Sequence, residues 1–119
     1  MAAAITIYGI KACDAMKKAR AWLDAHAVAY RFHDYKVAGI DRATLEPWVR
    51  AVGWEILLNR VGTTFRKLPE TARETIDEDK AIALMLASPS MIKRPVLDTR
   101  AGLIVGFRAD RYEAAFHTP

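Results

Sequence analysis

The chain has 119 residues, 52% of them hydrophobic, a single cysteine and a formal net charge of +4. That is enough for one compact core and too little for two ordinary domains, so a single domain spanning 1–119 is expected. No apolar run approaches the roughly 20 residues a membrane-spanning helix needs, and a lone cysteine excludes both an internal disulfide and a multi-cysteine zinc site.

Ala4 to Tyr8 is a β-branched and aromatic run that stops at Gly9, and it reads as the first strand. After the loop Gly9-Ile10-Lys11-Ala12, the residues Ala15, Met16, Ala19, Trp22 and Leu23 recur at helical spacing, so a helix begins close to Cys13. Ala29 to Tyr35 is a second extended run, which makes a βαβ unit with a parallel pair and a right-handed crossover.

The middle of the chain reads as helical. Leu45, Trp48, Val49 and Val52 fall on one face, with Gly53 as the left-handed end. Asp41 or Thr44 is the N-cap: Pro47 suits the first turn if Thr44 caps and bends the helix if Asp41 does. Gly62-Thr63-Thr64 offers a turn and cap for a short helical piece near Phe65 to Leu68, broken by Pro69. Thr75 and Glu78 have capping-box spacing ahead of a helix carrying Ile82, Met85 and Leu86, which Pro89 ends. Val96 to Thr99 and Leu103 to Phe107, around Arg100-Ala101-Gly102, read as a hairpin. A last helix has Asp110 as cap and Tyr112, Ala115 and Phe116 facing inward.

The order β-α-β, helical insert, β-β-α is that of an α/β thioredoxin-like fold. A four-stranded mixed sheet is flanked by helices, and a helical insertion over about 41–90 separates the second and third strands.

The chemistry centres on Cys13. A thiol reacts as its thiolate, and a helix N-terminus stabilises that anion through unpaired N–H groups and the dipole. The dipole alone supplies about 0.3–1 kcal/mol, under one pKa unit, so further donors are needed. Lys11 just before Cys13 and Lys17 one turn on are candidates, while the adjacent Asp14 opposes them unless it points away. The basic residues lie in small groups, Lys17-Lys18, Arg66-Lys67 and Lys93-Arg94, and no nucleic-acid or P-loop motif is present. That favours a small anionic ligand over nucleic acid. His26, His33 and His117 show no metal spacing, so no metal is expected.

Tyr8-Gly9-Ile10-Lys11-x-Cys13-Asp14-x-x-Lys17-Lys18-Ala19, His33-Asp34-Tyr35, Gly53-Trp54-Glu55-x-Leu57-Leu58-Asn59, Gly62-Thr63-Thr64-x-Arg66-Lys67-Leu68-Pro69 and Ile92-Lys93-Arg94-Pro95 occur in this order. Together they resemble the YffB-type branch of the arsenate reductase-like ArsC/Spx family, over about Ile5 to Phe116. The resemblance implies Cys13 as catalytic nucleophile and a cis peptide before Pro95. It sets Arg94 beside the cysteine, where its planar donors suit an oxyanion or carboxylate.

Departures from the family pattern bear on the reaction. Arsenate reductases of this type carry His-Asn-Pro before the cysteine and three arginines. Here Gly9 stands for the histidine and Lys11 for the proline, Asn59 falls at the insert arginine with Arg60 beside it, and the arginine after the last strand has only an offset candidate in Arg108. An Spx-like Cys-x-x-Cys switch would need a cysteine where Met16 stands.

The resulting expectation is a cytoplasmic glutathione-dependent thiol reductase with weak or no arsenate activity. Cys13 attacks a small oxidised or thiol-linked substrate, and glutathione acts as co-substrate. Lys11, Lys17, Arg94, Pro95 and Arg60 bind substrate or glutathione, and glutaredoxin is a candidate partner. The alternative is a non-catalytic Spx-like module that binds the transcription machinery.

Overall fold

In the computed structural model, residues 5–99 and 102–116 are described. The strands and helices in chain order are β1 (Thr6–Gly9), α1 (Asp14–Ala25), β2 (Arg31–Asp34), α2 (Tyr35–Ala38), α3 (Arg42–Val52), α4 (Trp54–Leu57), α5 (Thr63–Arg66), α6 (Glu70–Arg73), α7 (Glu78–Ala87), β3 (Val96–Asp98), β4 (Leu103–Val105) and α8 (Ala109–Phe116). A 3-10 turn at Pro89–Met91 precedes β3. The chain divides into two compact units, Met1–Ala38 with Arg94–Pro119, and Gly39–Lys93.

The first unit holds the sheet, in the order β2-β1-β3-β4. β1 pairs parallel with β2 and antiparallel with β3, and β3 pairs antiparallel with β4. This is the mixed α/β architecture expected of a thioredoxin-like chain. Its core is Ile7, Met16, Ala19, Leu23, Leu97, Ile104 and Tyr112, with Cys13, Trp22, Phe32, Phe107 and Phe116 packed against it. Met16, Ala19 and Leu23 share the buried stripe of α1 because their spacing places them one above another on a helix of 3.6 residues per turn. Ala115, expected to face inward, is exposed; Tyr112 and Phe116 carry the inner face of α8.

In the second unit α3 packs on α7 and α4, burying Leu45, Trp48, Val49, Leu57, Ala81, Ile82 and Met85. Leu58 and Ile92 form an isolated antiparallel bridge there.

The structure settles the cap of α3, which the pattern left open, and moves several other element ends. Asp41, not Thr44, caps α3: its Oδ1 accepts from the Thr44 N–H at 2.8 Å, which leaves Pro47 inside the helix. Asp77 caps α7 by accepting from the Lys80 N–H at 2.8 Å, so the Thr75–Glu78 box does not form, and Thr75 adopts φ 50°. At α8 the Tyr112 N–H bonds the Arg108 carbonyl, so Asp110 lies inside the first turn and pairs with Arg108 at 2.9 Å rather than capping. β2 ends at Asp34, whose Oδ1 accepts from the Lys36 N–H at 2.9 Å and turns the chain into α2. The expected hairpin turn at Arg100-Ala101, and His117, lie outside the described residues. Among the described residues no helix is long and apolar enough to cross a membrane.

Gly9 ends β1 directly beneath Met16. A Cβ placed there would run into the Met16 sulfur, and Met16 is fully buried. Gly9→Ala is therefore expected to lower the urea midpoint by the equivalent of about 1–3 kcal/mol, the usual cost of overpacking. In a Met16→Ala background the same change should cost almost nothing, because the clashing atoms are gone. Equal losses in both backgrounds would show that Gly9 is required for another reason.

Candidate functional site

The turn between β1 and α1 places the thiol. The Cys13 N–H bonds the Ile10 carbonyl at 3.2 Å, and the Cys13 carbonyl accepts the first helical bond, from the Lys17 N–H at 3.0 Å. Cys13 is thus the N-cap of α1, with extended backbone at φ −77° and ψ 132°. Its side chain closes no full capping hydrogen bond. Even so, the amides of Ala15 and Met16, the second and third residues of the helix, act on the sulfur.

β3 brings the cation. Arg94 enters it through a cis peptide to Pro95; Pro95 is fully buried, and its carbonyl accepts from the Gly106 N–H at 2.8 Å. The Arg94 side chain hydrogen-bonds the Cys13 sulfur and acts on it by charge.

The electrostatics of Cys13 are a contest. Burial, the largest single influence, pushes the thiol up; the Met16 amide, the Arg94 hydrogen bond, the Ala15 amide and the Arg94 charge push it down. The downward influences prevail, and Cys13 sits below the ordinary thiol range. Lys11, Asp14 and Lys17 are exposed, and none of them is among the groups that shift the thiol. Arg60 lies in the second unit, exposed, with its guanidinium 5.6 Å from the Trp54 ring centroid. Among the described residues no cluster of histidine, cysteine, aspartate or glutamate could hold a metal ion.

Three aromatic residues close to this site entered the sequence reading only as motif residues, with no role in the chemistry assigned to them. Tyr8 and His33 are register partners across the parallel pair, with ring centroids 4.8 Å apart. Tyr35 stacks on Tyr8 at 6.4 Å and lies edge-on to His33 at 6.0 Å. Among the described residues the buried Tyr35 hydroxyl has no hydrogen-bond partner. Burial and the neighbouring Tyr8 push it far up, against an opposing pull from Arg94, so it stays a neutral phenol through the physiological range. Tyr8 and His33 become neighbours only once the strand register is known, so periodicity alone gave no signal for them.

Since the thiolate is the reactive form, the rate of Cys13 alkylation should rise with pH to a midpoint below about 8.5, the value of an unperturbed thiol. Arg94→Ala removes both a hydrogen bond and a positive charge, so the midpoint should move upward while the thermal midpoint stays nearly unchanged. An unshifted alkylation profile in Arg94→Ala would assign the lowering to the helix amides alone.

Known proteins resemble this chain along nearly its whole length. A solved YFFB protein is 60% identical, with a TM-score of 0.92 over 95% of this chain and 99% of that one. An uncharacterized protein of Haemophilus influenzae is 38% identical, covering 94% of this chain and 98% of its own length. The global transcriptional regulator Spx of Streptococcus mutans is 26% identical over 92% of this chain and 81% of its own. The ArsC family model matches residues 8–115, which takes in Cys13, Arg94 and every strand but the first two residues of β1, and the chain belongs to the ArsC family.

Proposed function

We propose that the protein is a thiol reductase that uses glutathione as its second thiol. The observation that carries this reading is a single cysteine, held as an N-cap and lowered by two amides and Arg94 in a chain with no second thiol to resolve a disulfide. Fold and family support a redox role, and the single thiol calls for an external partner.

The cycle balances in two steps. The Cys13 thiolate attacks the glutathione sulfur of a mixed disulfide; a Cys13–glutathione disulfide forms, the substrate's S–S bond breaks, and the substrate leaves as its thiolate. A second glutathione thiolate then attacks the glutathione sulfur bound to Cys13. Glutathione disulfide leaves, and the Cys13 thiolate returns. One free glutathione is consumed per turnover, and the glutathione disulfide that leaves joins it to the glutathione unit the mixed disulfide brought in. Arg94 stabilises the Cys13 anion whenever it is free, and Lys11 and Lys17 add positive charge for carboxylates.

Arsenate is a poor substrate on this reading. Such an oxyanion must be held by several charge-assisted donors before an anionic thiolate can approach. Arg94 stands at one of the three expected arginine positions. Asn59 stands at another, and its Oδ1 accepts from the N–H groups of Val61 and Gly62, both at 3.1 Å, as part of a turn. Arg108, the offset candidate for the third, pairs with Asp110. Two missing charged hydrogen bonds at about 1.5–3 kcal/mol each remove two or more powers of ten in rate.

Incubation of wild-type and Cys13→Ser protein with glutathione and a glutathionylated substrate tests the proposal. The expected outcome is a Cys13–glutathione adduct by mass spectrometry and substrate turnover, both lost in Cys13→Ser. Arsenate turnover in a glutathione and glutaredoxin assay should be at least about a hundredfold below that of an arsenate reductase. Absence of any adduct would favour the non-catalytic interaction module, and arsenate turnover at full rate would show the count of donors to be wrong.

A further inference from the structure

A groove of about 440 Å³ opens beside the turn that carries the thiol, with Lys11, Arg20, Phe32, Asp34 and Val37 in its lining. Lys11 stands two residues before Cys13, so the groove begins at the reactive turn itself. Its volume falls within the ordinary range for small-ligand sites.

Arg20 is set in place before any ligand arrives. Its Nε donates to the Tyr30 hydroxyl at 3.3 Å, and its guanidinium carbon lies 4.6 Å from the Phe32 ring centroid. Among the described residues its terminal nitrogens have no acceptor. Holding a planar donor group this way removes much of the entropy cost of using it. Asp34 lines the same groove, accepting one backbone N–H, from Lys36. Among the described residues it forms no ion pair with Arg20 or Lys11. Unlike charges therefore line one groove without neutralising each other. Val37, 85% exposed, and Phe32 supply an apolar surface between them.

Such a lining matches a zwitterion, a carboxylate and an ammonium on one small frame. A plain anion would meet Asp34 as a repulsive neighbour; a plain cation would meet Arg20 and Lys11. We propose that this groove receives the γ-glutamyl end of the incoming, resolving glutathione, with its α-carboxylate on Arg20 and Lys11 and its α-ammonium on Asp34. The proposal rests on glutathione as the second thiol. The glycyl end of the tripeptide carries only a carboxylate and leaves Asp34 unmatched, which fixes the orientation.

The test compares reduction of a glutathionylated substrate by two thiols, glutathione and butyryl-cysteinyl-glycine, which differ only in the α-ammonium and α-carboxylate of the first residue. Wild-type protein should favour glutathione by about tenfold or more in kcat/KM, the value of a charged hydrogen-bond pair. Asp34→Asn keeps the acceptor for the Lys36 N–H and should cut that preference severalfold. Arg20→Gln should cut it likewise. The preference is a ratio taken on one protein sample, so partial unfolding of a variant does not imitate the result. Equal use of both thiols by wild type, or an undiminished preference in Asp34→Asn, overturns the groove assignment and leaves the reductase reading intact. Wild-type protein that forms an adduct with neither thiol overturns both.

Discussion

The turn from β1 into α1 is the constraint on which the site depends. Cys13 is held at both ends of its backbone, by Ile10 on one side and Lys17 on the other, and the helix it starts is held by a core it did not choose. Met16, Ala19 and Leu23 are buried against Ile7, Leu97 and Tyr112. A slip of α1 by one residue would rotate this stripe by about 100° and expose it. The same slip would carry the sulfur away from the amides of Ala15 and Met16. Apolar packing thus sets the register of a chemical group that contributes little to the packing.

Arg94 reaches the sulfur through a second register. Antiparallel pairing sets Val96 opposite Tyr8 and Leu97 opposite Ile7. Continuing that pairing past the strand end aligns Arg94 with the segment just after Gly9, where the chain turns toward Cys13. A one-residue slip would send the alternating side chains of β3 to the opposite face. Burial of Val96 and Leu97, both fully inaccessible, resists such a slip. Two independent hydrophobic registers therefore converge on one sulfur atom, and the charge on Arg94 offsets the burial that the convergence itself imposes.

The long periodic elements were legible in the sequence for this reason. The α1 stripe, the α3 stripe and the βαβ order all announce themselves through spacing, and Cys13 at a helix start follows from them. Helices α2, α4, α5 and α6, of four residues each, span little more than one turn, too short for a 3.6-residue period to show, and only the turn signals around Gly62 and Pro69 marked α5. Caps were harder, because Asp41 and Asp77 lie within three residues of threonines that could equally begin the helix, and only geometry decides which side chain meets a free amide. Lys11 and Lys17 were natural candidates to lower the thiol because they are close in sequence. The group that does so by charge is Arg94, eighty-one positions away in the chain. Nothing local in the sequence measures that contact; the family resemblance pointed to it.

A lowered thiol serves the proposed cycle most in its second half. Depressing the pKa raises the thiolate fraction but reduces the intrinsic nucleophilicity of each thiolate, so the gain in the attacking step is partial. In the resolving step Cys13 is the leaving group, and a thiol of lower pKa leaves faster. Arg94 and the helix amides, already aimed at the sulfur, stabilise the negative charge that develops there as glutathione disulfide departs. Where a Cys-x-x-Cys protein would have its second thiol, this chain has Met16, fully buried and closed over Gly9. A thioether cannot resolve a disulfide, so the proposed cycle turns to an external thiol, for which Arg94 already stabilises the leaving group.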